Sequence, residues 1–401
     1  MTPRLWLLFS ARTVSVLGNA FGPIAIAFGV LALPGATPGV LATVLAAQTV
    51  PQLALVLLGG VIGDRFPRYR VLVVAELMAA AGYAALAAML LTGWAPIGML
   101  TGAAFVTGVA SALLLPSLTG VMAEVVGEGD RQRANAQLKL GTNCARIAGL
   151  FAAGATVALL GPGVALAVDA ATYVVAAILL GALKLPVTVR TERRDVLTEL
   201  RTGWREFSRR QWLWATVCAA AFINAASTAG FGVLGPVLLR DRPGGSVLWS
   251  IVLVGYAAGM LAGVFVVLRI RPRRPLVVAT AMTPLLALPL IALGLELPVP
   301  VVAAAAFCSG VAMDVFGVLW ETAVQNGIPA ELLSRVGAYE YLAALSLKPV
   351  GSIAAGVLAT GLGAAPALLL FGGVVVLAGT AAALVPGVRH LESTQEAGAR
   401  S

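Results

Sequence analysis

Charge is what this chain has least of: only 11% of its 401 residues are Asp, Glu, Lys or Arg, against about 25% in soluble domains. With 59% hydrophobic residues and a mean hydropathy of +0.94, it has far more apolar surface than a soluble core can bury. One histidine, His390, and three cysteines, Cys144, Cys218 and Cys308, are its only imidazole and thiol groups. The cysteines fall far apart inside apolar stretches. Neither a zinc site nor a disulfide framework follows, and they read as buried small hydrophobes. No Gly-x-x-x-x-Gly-Lys-Ser/Thr phosphate loop is present, so ATP is not the obvious energy source. No nucleophile, base and acid can be assembled into a set. The chain is therefore not expected to be an enzyme, and no cofactor is implied.

The formal net charge of +9 invites a nucleic-acid reading, but the arginines occupy short connections between oily runs. A membrane protein with basic loops on one side explains them better. Apolar runs lie at 8–33, 38–62, 71–93, 96–124, 135–160, 163–186, 212–239, 247–268, 275–295, 299–326, 337–360 and 364–388. Each is about the length a helix needs to cross a bilayer, and each is too long and continuous for a barrel strand. The expectation is an all-α membrane protein with twelve transmembrane helices. The N-terminal stretch is read as a retained first span, because Arg12 interrupts its apolar run and no small-residue cleavage pattern follows.

The connections set the topology. Arg65, Arg68 and Arg70, then Arg131 and Arg133, then the segment 187–211, then Arg269, Arg271, Arg273 and Arg274, then Arg335 all fall in even-numbered connections. Basic short loops resist translocation, so this side is expected to be cytoplasmic, with both termini on it, in a multi-pass protein of the cell membrane. Within 190–211, Val196, Leu200, Trp204 and Phe207 recur three or four apart between arginines. That is the pattern of a helix lying on the membrane surface, and the bland alternative is a simple tether. The expected organisation is a six-helix half at 1–186, an amphipathic linker at 187–211, a second six-helix half at 212–388 and a cytoplasmic tail at 389–401.

The halves repeat each other. AAFVTGVA at 103–110 answers AAFCSGVA at 305–312, and the same shift carries Arg133 onto Arg335, Arg146 onto Lys348, Gly149 onto Gly351 and Gly154 onto Gly356. Asn19-Ala20 answers Asn224-Ala225, FGVL at 28–31 answers FGVL at 231–234, and Pro67-Arg68 answers Pro272-Arg273. Ordered matches at nearly one shift imply two parallel pseudosymmetric halves about a transport pathway, working by alternating access.

Charged and amide groups inside the spans are costly in lipid and so mark candidate pathway positions. Arg146 and Lys348 occupy matching places, either lining the pathway or snorkelling to headgroups. Asp314, Glu321 and Gln325 share one face of the tenth span at spacings of seven and four. Asp169 sits in the sixth span, with Tyr173 one turn on as a packing partner. Glu76 and Glu124 lie near span ends, where loop arginines can pair with them. Asn19, Asn143 and Asn224 suit substrate binding or helix–helix hydrogen bonding equally. A carboxyl held in a nonpolar span can carry a proton, which makes Asp314, Glu321 and Asp169 the candidate carriers and ion-gradient coupling the natural energy source.

The loop GGVIGDRFPRYR, Gly59 to Arg70, resembles the cytoplasmic signature of the major facilitator superfamily, Gly-x-x-x-Asp-Arg-x-Gly-Arg-Arg, through Gly60, Asp64, Arg65, Arg68 and Arg70. Pro67 stands where the family often has glycine, and Tyr69 interrupts the basic pair. The resemblance implies that these residues form a cytoplasmic conformational gate; the alternative is that they only set topology. Arg269 replaces the acid in the second half. Stretches 15–30, 63–74, 131–149, 168–180 and 320–342 look like the branch with macrolide-efflux and enterobactin-exporter-like proteins. That likeness implies proton-coupled efflux of a small hydrophobic or amphipathic compound such as a drug, antibiotic or siderophore. Two positions depart from the branch: Asn19 stands where many relatives have aspartate, and Gly149-Leu150 where exporters have Gly-Pro. The expected partners are a small-molecule substrate, protons and the lipid bilayer, with no nucleic acid and a monomeric chain. The alternatives are an importer, or a non-transporting sensor or scaffold of the same fold.

Overall fold

The computed structural model describes residues 3–65, 67–125, 131–183, 204–270, 272–329 and 332–389. Side chains at 3–4, 56–65, 68, 115–125, 131–136 and 334–335 lie outside the described ones. Among the described residues, twelve helices are long and apolar enough to cross a membrane. They are α1 (Leu5–Leu31), α2 (Pro38–Arg65), α3 (Arg68–Thr92), α4 (Ile97–Val125), α5 (Arg131–Leu160), α6 (Pro162–Gly181), α7 (Gln211–Leu239), α8 (Gly245–Arg269), α9 (Pro275–Gly294), α10 (Val299–Gly327), α11 (Val336–Gly361) and α12 (Ala364–Leu384). Each falls on one of the twelve expected runs. Leu159 is 81% exposed and Leu268 74%, as lipid-facing leucines are and water-facing ones rarely are.

The chain packs as two compact units, Met1–Thr191 with Gly235–Ile251, and Glu192–Leu234 with Val252–Ser401. In the first, α6 packs on α1 and α3, α4 on α2 and α3, and α5 on α1. In the second the same partners recur six helices on: α12 on α7 and α9, α10 on α9, and α11 on α7. The turns repeat as well. Gly161, between α5 and α6, and Gly363, between α11 and α12, both have φ of 91°, a backbone that only glycine adopts without strain.

Glycine also sets how closely helices cross. A Cβ on Gly108 of α4 would run into the carbonyl of Gln48 on α2, and one on Gly310 of α10 would run into the carbonyl of Tyr256 on α8. These two are the glycines of the repeated AAFxxGVA stretches, so the repeat encodes the same crossing twice. On α8, Gly255, Gly259 and Gly263 face α10 in turn, a small-xxx-small stripe of the kind that lets membrane helices approach. The cysteine expectation is corrected: Cys144, Cys218 and Cys308 are free and exposed. A thiol is small and apolar enough to face lipid as comfortably as a core.

Among the described residues four spans are interrupted, and a proline accompanies each break, two of which follow directly from it. The α1 helix is broken at Ala20, because Pro23 has no N–H to offer the Asn19 carbonyl. The α11 helix stops at Leu345 and restarts at Lys348, because Pro349 cannot donate to the Leu345 carbonyl. The equivalent residue in α5 is Ile147, and α5 runs unbroken. In α7 a wide π-turn covers Thr228–Leu234, and in α9 a tight 3₁₀ stretch covers Thr283–Ala287.

Candidate functional site

Irregular backbone at membrane depth is tolerated only where protein covers it or where it lines a cavity. In the second unit three interruptions meet at one such cavity, of about 350 Å³. Thr228 and Phe231 come from the π-turn of α7, Thr283 and Leu286 from the 3₁₀ stretch of α9, and Lys348 from the break in α11. Tyr256 of α8 and Ser309, Met313 and Phe316 of α10 complete much of the wall. A mostly apolar hollow with a few placed polar groups is the usual form of a small-molecule site.

The hydroxyls of this wall are largely committed. Thr216 donates to the Trp212 carbonyl (2.8 Å), Thr228 to the Asn224 carbonyl (2.8 Å), Thr280 to the Leu276 carbonyl (2.8 Å) and Thr283 to the Thr280 carbonyl (2.7 Å). Each therefore presents oxygen lone pairs to the cavity and keeps its hydrogen for the helix. Asn224 Nδ2 donates to the Ala344 carbonyl at 3.1 Å, tying α7 to α11 beside its break. Asn224 thus makes a helix–helix bond and also stands on the cavity wall. Lys348 is half-buried and is the only charged residue on the wall among the described residues.

The other expected pathway residues fall elsewhere. Asp314 lies against Gly263 of α8, where a Cβ would sit 3.3 Å from its Oδ2. Glu321 and Gln325 are exposed, joined by a 3.3 Å bond from Gln325 Nε2 to Glu321 Oε1. With Glu340, whose Oε1 accepts from Trp320 Nε1, they line a second hollow of about 430 Å³. Asn19 is exposed at the break in α1, and Arg146 is exposed on α5. Of the loop motif, the side chains of Asp64, Arg65 and Arg68, and Gly60 with them, lie outside the described residues. Arg70 is exposed, with Nε donating to Tyr69 Oη at 3.1 Å. The linker expectation likewise falls outside the described residues up to 203, after which residues 204–209 are helical and Phe207 is buried.

The first unit holds a buried polar cluster that sequence reasoning saw only in part. Asp169 is 0% exposed and Glu76 only 2%. Ser15 Oγ donates to Glu76 Oε1 at 3.1 Å, with Oε2 at 3.2 Å. Gln48 Nε2 donates to Tyr83 Oη (3.2 Å) and Thr107 Oγ1 (3.0 Å). The Tyr83 ring stacks on Tyr173 with centroids 5.4 Å apart. Asp169 faces the backbone of Gly22, yet neither of its oxygens has a hydrogen-bond partner among the described residues. A Cβ at Gly22 would stand 3.1 Å from Asp169 Oδ2 and 2.9 Å from Tyr83 Oη, so the glycine leaves room for both groups. Helix rotation brings Ser15, Gln48, Glu76, Tyr83 and Thr107 inward, and runs that are apolar all round carry no signal of it.

Gln48 is the tie between α2, α3 and α4 in this cluster. Gln48→Leu is expected to lower stability by about 1–3 kcal/mol, since two buried hydroxyls each lose a partner. Thermal unfolding of the purified protein checks it, with Thr107→Val restoring part of the loss.

Twelve apolar helices whose packing pattern repeats, with three broken helices meeting at an internal cavity of the second unit, define a multi-pass membrane carrier. The Major Facilitator Superfamily model matches residues 7–347, and the chain belongs to that superfamily of membrane transporters. It is 21% identical over 294 residues to YvqJ of Bacillus subtilis (strain 168), an uncharacterised MFS-type transporter, covering 72% of this chain and 70% of the relative. Solved structures with the same fold include a mutant of the nucleoside transporter NupG, at 12% identity and TM-score 0.77, covering 94% of this chain and 98% of that one. Another is a POT family transporter in complex with 5-aminolevulinic acid, at 13% identity and TM-score 0.73, covering 94% of each chain.

Proposed function

We propose that this protein is a proton-driven secondary exporter of a small amphipathic compound, acting as a monomer in the cytoplasmic membrane with both termini inside. The observation that carries the reading is the cavity at which the interruptions of α7, α9 and α11 converge, apolar over most of its wall and polar at few points. A structural scaffold has no need of three broken spans around one hollow. Export is supported by the likeness of five stretches to the macrolide-efflux and enterobactin-exporter branch. Asp64, Arg65, Arg68 and Arg70 act as the cytoplasmic gate, and Asp169 is the proton carrier. A carboxylate buried, ionised and unpaired costs several kcal/mol. A group that takes up and releases one proton per cycle is the role that fits it.

The test is accumulation of amphipathic antibiotics and fluorescent dyes, anionic as well as cationic, in an efflux-deficient host, with and without a protonophore. Wild type is expected to lower accumulation at least severalfold, and the protonophore and Asp64→Asn each to remove the difference. Wild-type accumulation equal to empty vector for every compound would reject export of this chemical class.

A further inference from the structure

The second-unit cavity has a one-sided charge. Lys348 lines its wall and no carboxylate does among the described residues. Lys348 sits where α11 restarts after its break, so the partial positive charge of that helix end lies beside its own. The threonine hydroxyls have given their hydrogens to backbone carbonyls. The ammonium, with three donors, is therefore the strongest hydrogen-bond donor facing the hollow. Around it stand Phe231, Tyr256 and Phe316, a wall for an apolar or aromatic body. An organic cation entering here meets a like charge with nothing to offset it, whereas an anion completes an unpaired one.

We propose that this cavity binds an amphipathic organic monoanion, with its acid group on the Lys348 ammonium and its apolar body between Phe231, Tyr256 and Phe316. The remaining lone pairs of Thr216, Thr280 and Thr283 suit a hydroxyl or N–H on the same ligand. This assigns the substrate charge for the transport reading above, on which it rests.

The experiment is direct binding to the purified full chain in zwitterionic lipid nanodiscs, using one carbon skeleton in three charge states: 2-naphthylacetate, 2-naphthylethanol and 2-(2-naphthyl)ethylammonium. The anion is expected to bind about tenfold tighter than the alcohol, the scale of one charge-assisted hydrogen bond, and the cation weakest. Lys348→Gln should erase the anion preference and Lys348→Arg should keep it, with thermal unfolding showing both variants folded. Equal affinities, a preference for the cation, or an anion preference surviving Lys348→Gln would each overturn the proposal. In discs containing phosphatidylglycerol the anion should bind unchanged. Its displacement there would assign the ammonium to a lipid headgroup and overturn the proposal too. Binding is read without transport. A chain that binds the anion and moves nothing would fail as an exporter while keeping this site.

Discussion

Asp169→Asn is expected to abolish uphill transport, by at least about tenfold in proteoliposomes with an imposed pH gradient, while the protein stays folded. Asparagine fills nearly the same volume and cannot take or release a proton. At this position the exchange removes a carboxyl that is fully buried and has no hydrogen-bond partner among the described residues. The charge it deletes is one the fold does not pair, so stability should hold or rise. Downhill exchange of substrate across the membrane should survive, because no step of simple exchange consumes a proton. Glu76→Gln is the control. Glu76 is also buried, but it accepts from Ser15, and a glutamine oxygen can keep that bond. Its effect on coupling should be the smaller of the two. Wild-type uphill transport by Asp169→Asn would remove Asp169 from the coupling mechanism.

How far the sequence reveals the fold varies with the physics. Twelve spans follow from run length and the cost of charge in lipid, and the structure has helices on all twelve runs. The repeat is legible as a string of letters, but its meaning is not. AAFVTGVA and AAFCSGVA match because each holds the crossing glycine, Gly108 or Gly310, and an approach to a neighbouring carbonyl has no spelling in one helix. The breaks are within reach of simple rules. Pro349 costs α11 a donor and puts Lys348 at a helix start, whereas the matching Ile147 leaves α5 whole and Arg146 exposed on it. A pair assigned by symmetry therefore meets two different fates.

The acidic stripe of α10 shows the other limit. Asp314, Glu321 and Gln325 do share a helical face, yet the cavity is walled by Ser309, Met313 and Phe316 of the same helix. Which face of an apolar helix turns inward depends on packing against its neighbours. Those neighbours come from elsewhere in the chain: Ser15 meets Glu76 across 61 positions. Periodicity within either helix says nothing of the pair.

Gly310→Ala is expected to lower stability by roughly 2 kcal/mol, and Gly310→Leu by about 3 kcal/mol or more, the range of overpacked cores. Adding one methyl to a helical glycine normally helps, by up to about 1 kcal/mol of helix propensity. Here the methyl would overlap the Tyr256 carbonyl and stand 2.8 Å from Met260 N. Backbone atoms of α8 cannot rotate aside as a side chain can, so the two helices must separate. Separation also loosens Gly255 and Gly259, whose own open faces rest on the carbonyls of Ala303 and Phe307. In lipid, helices are held by close packing itself, and no hydrophobic gain replaces it once they part. Gly317 lies two turns further along α10 with nothing within 4 Å of a Cβ. The same substitution there should be neutral or stabilising. Thermal unfolding of the two alanine variants, side by side in one detergent, compares identical chemistry on one helix with opposite expected signs. Equal melting of Gly310→Ala and Gly317→Ala would mean that α8 and α10 do not cross at this register. A fall confined to Gly310, repeated by Gly108→Ala against Gly102→Ala in the first unit, would place the same backbone crossing in both halves.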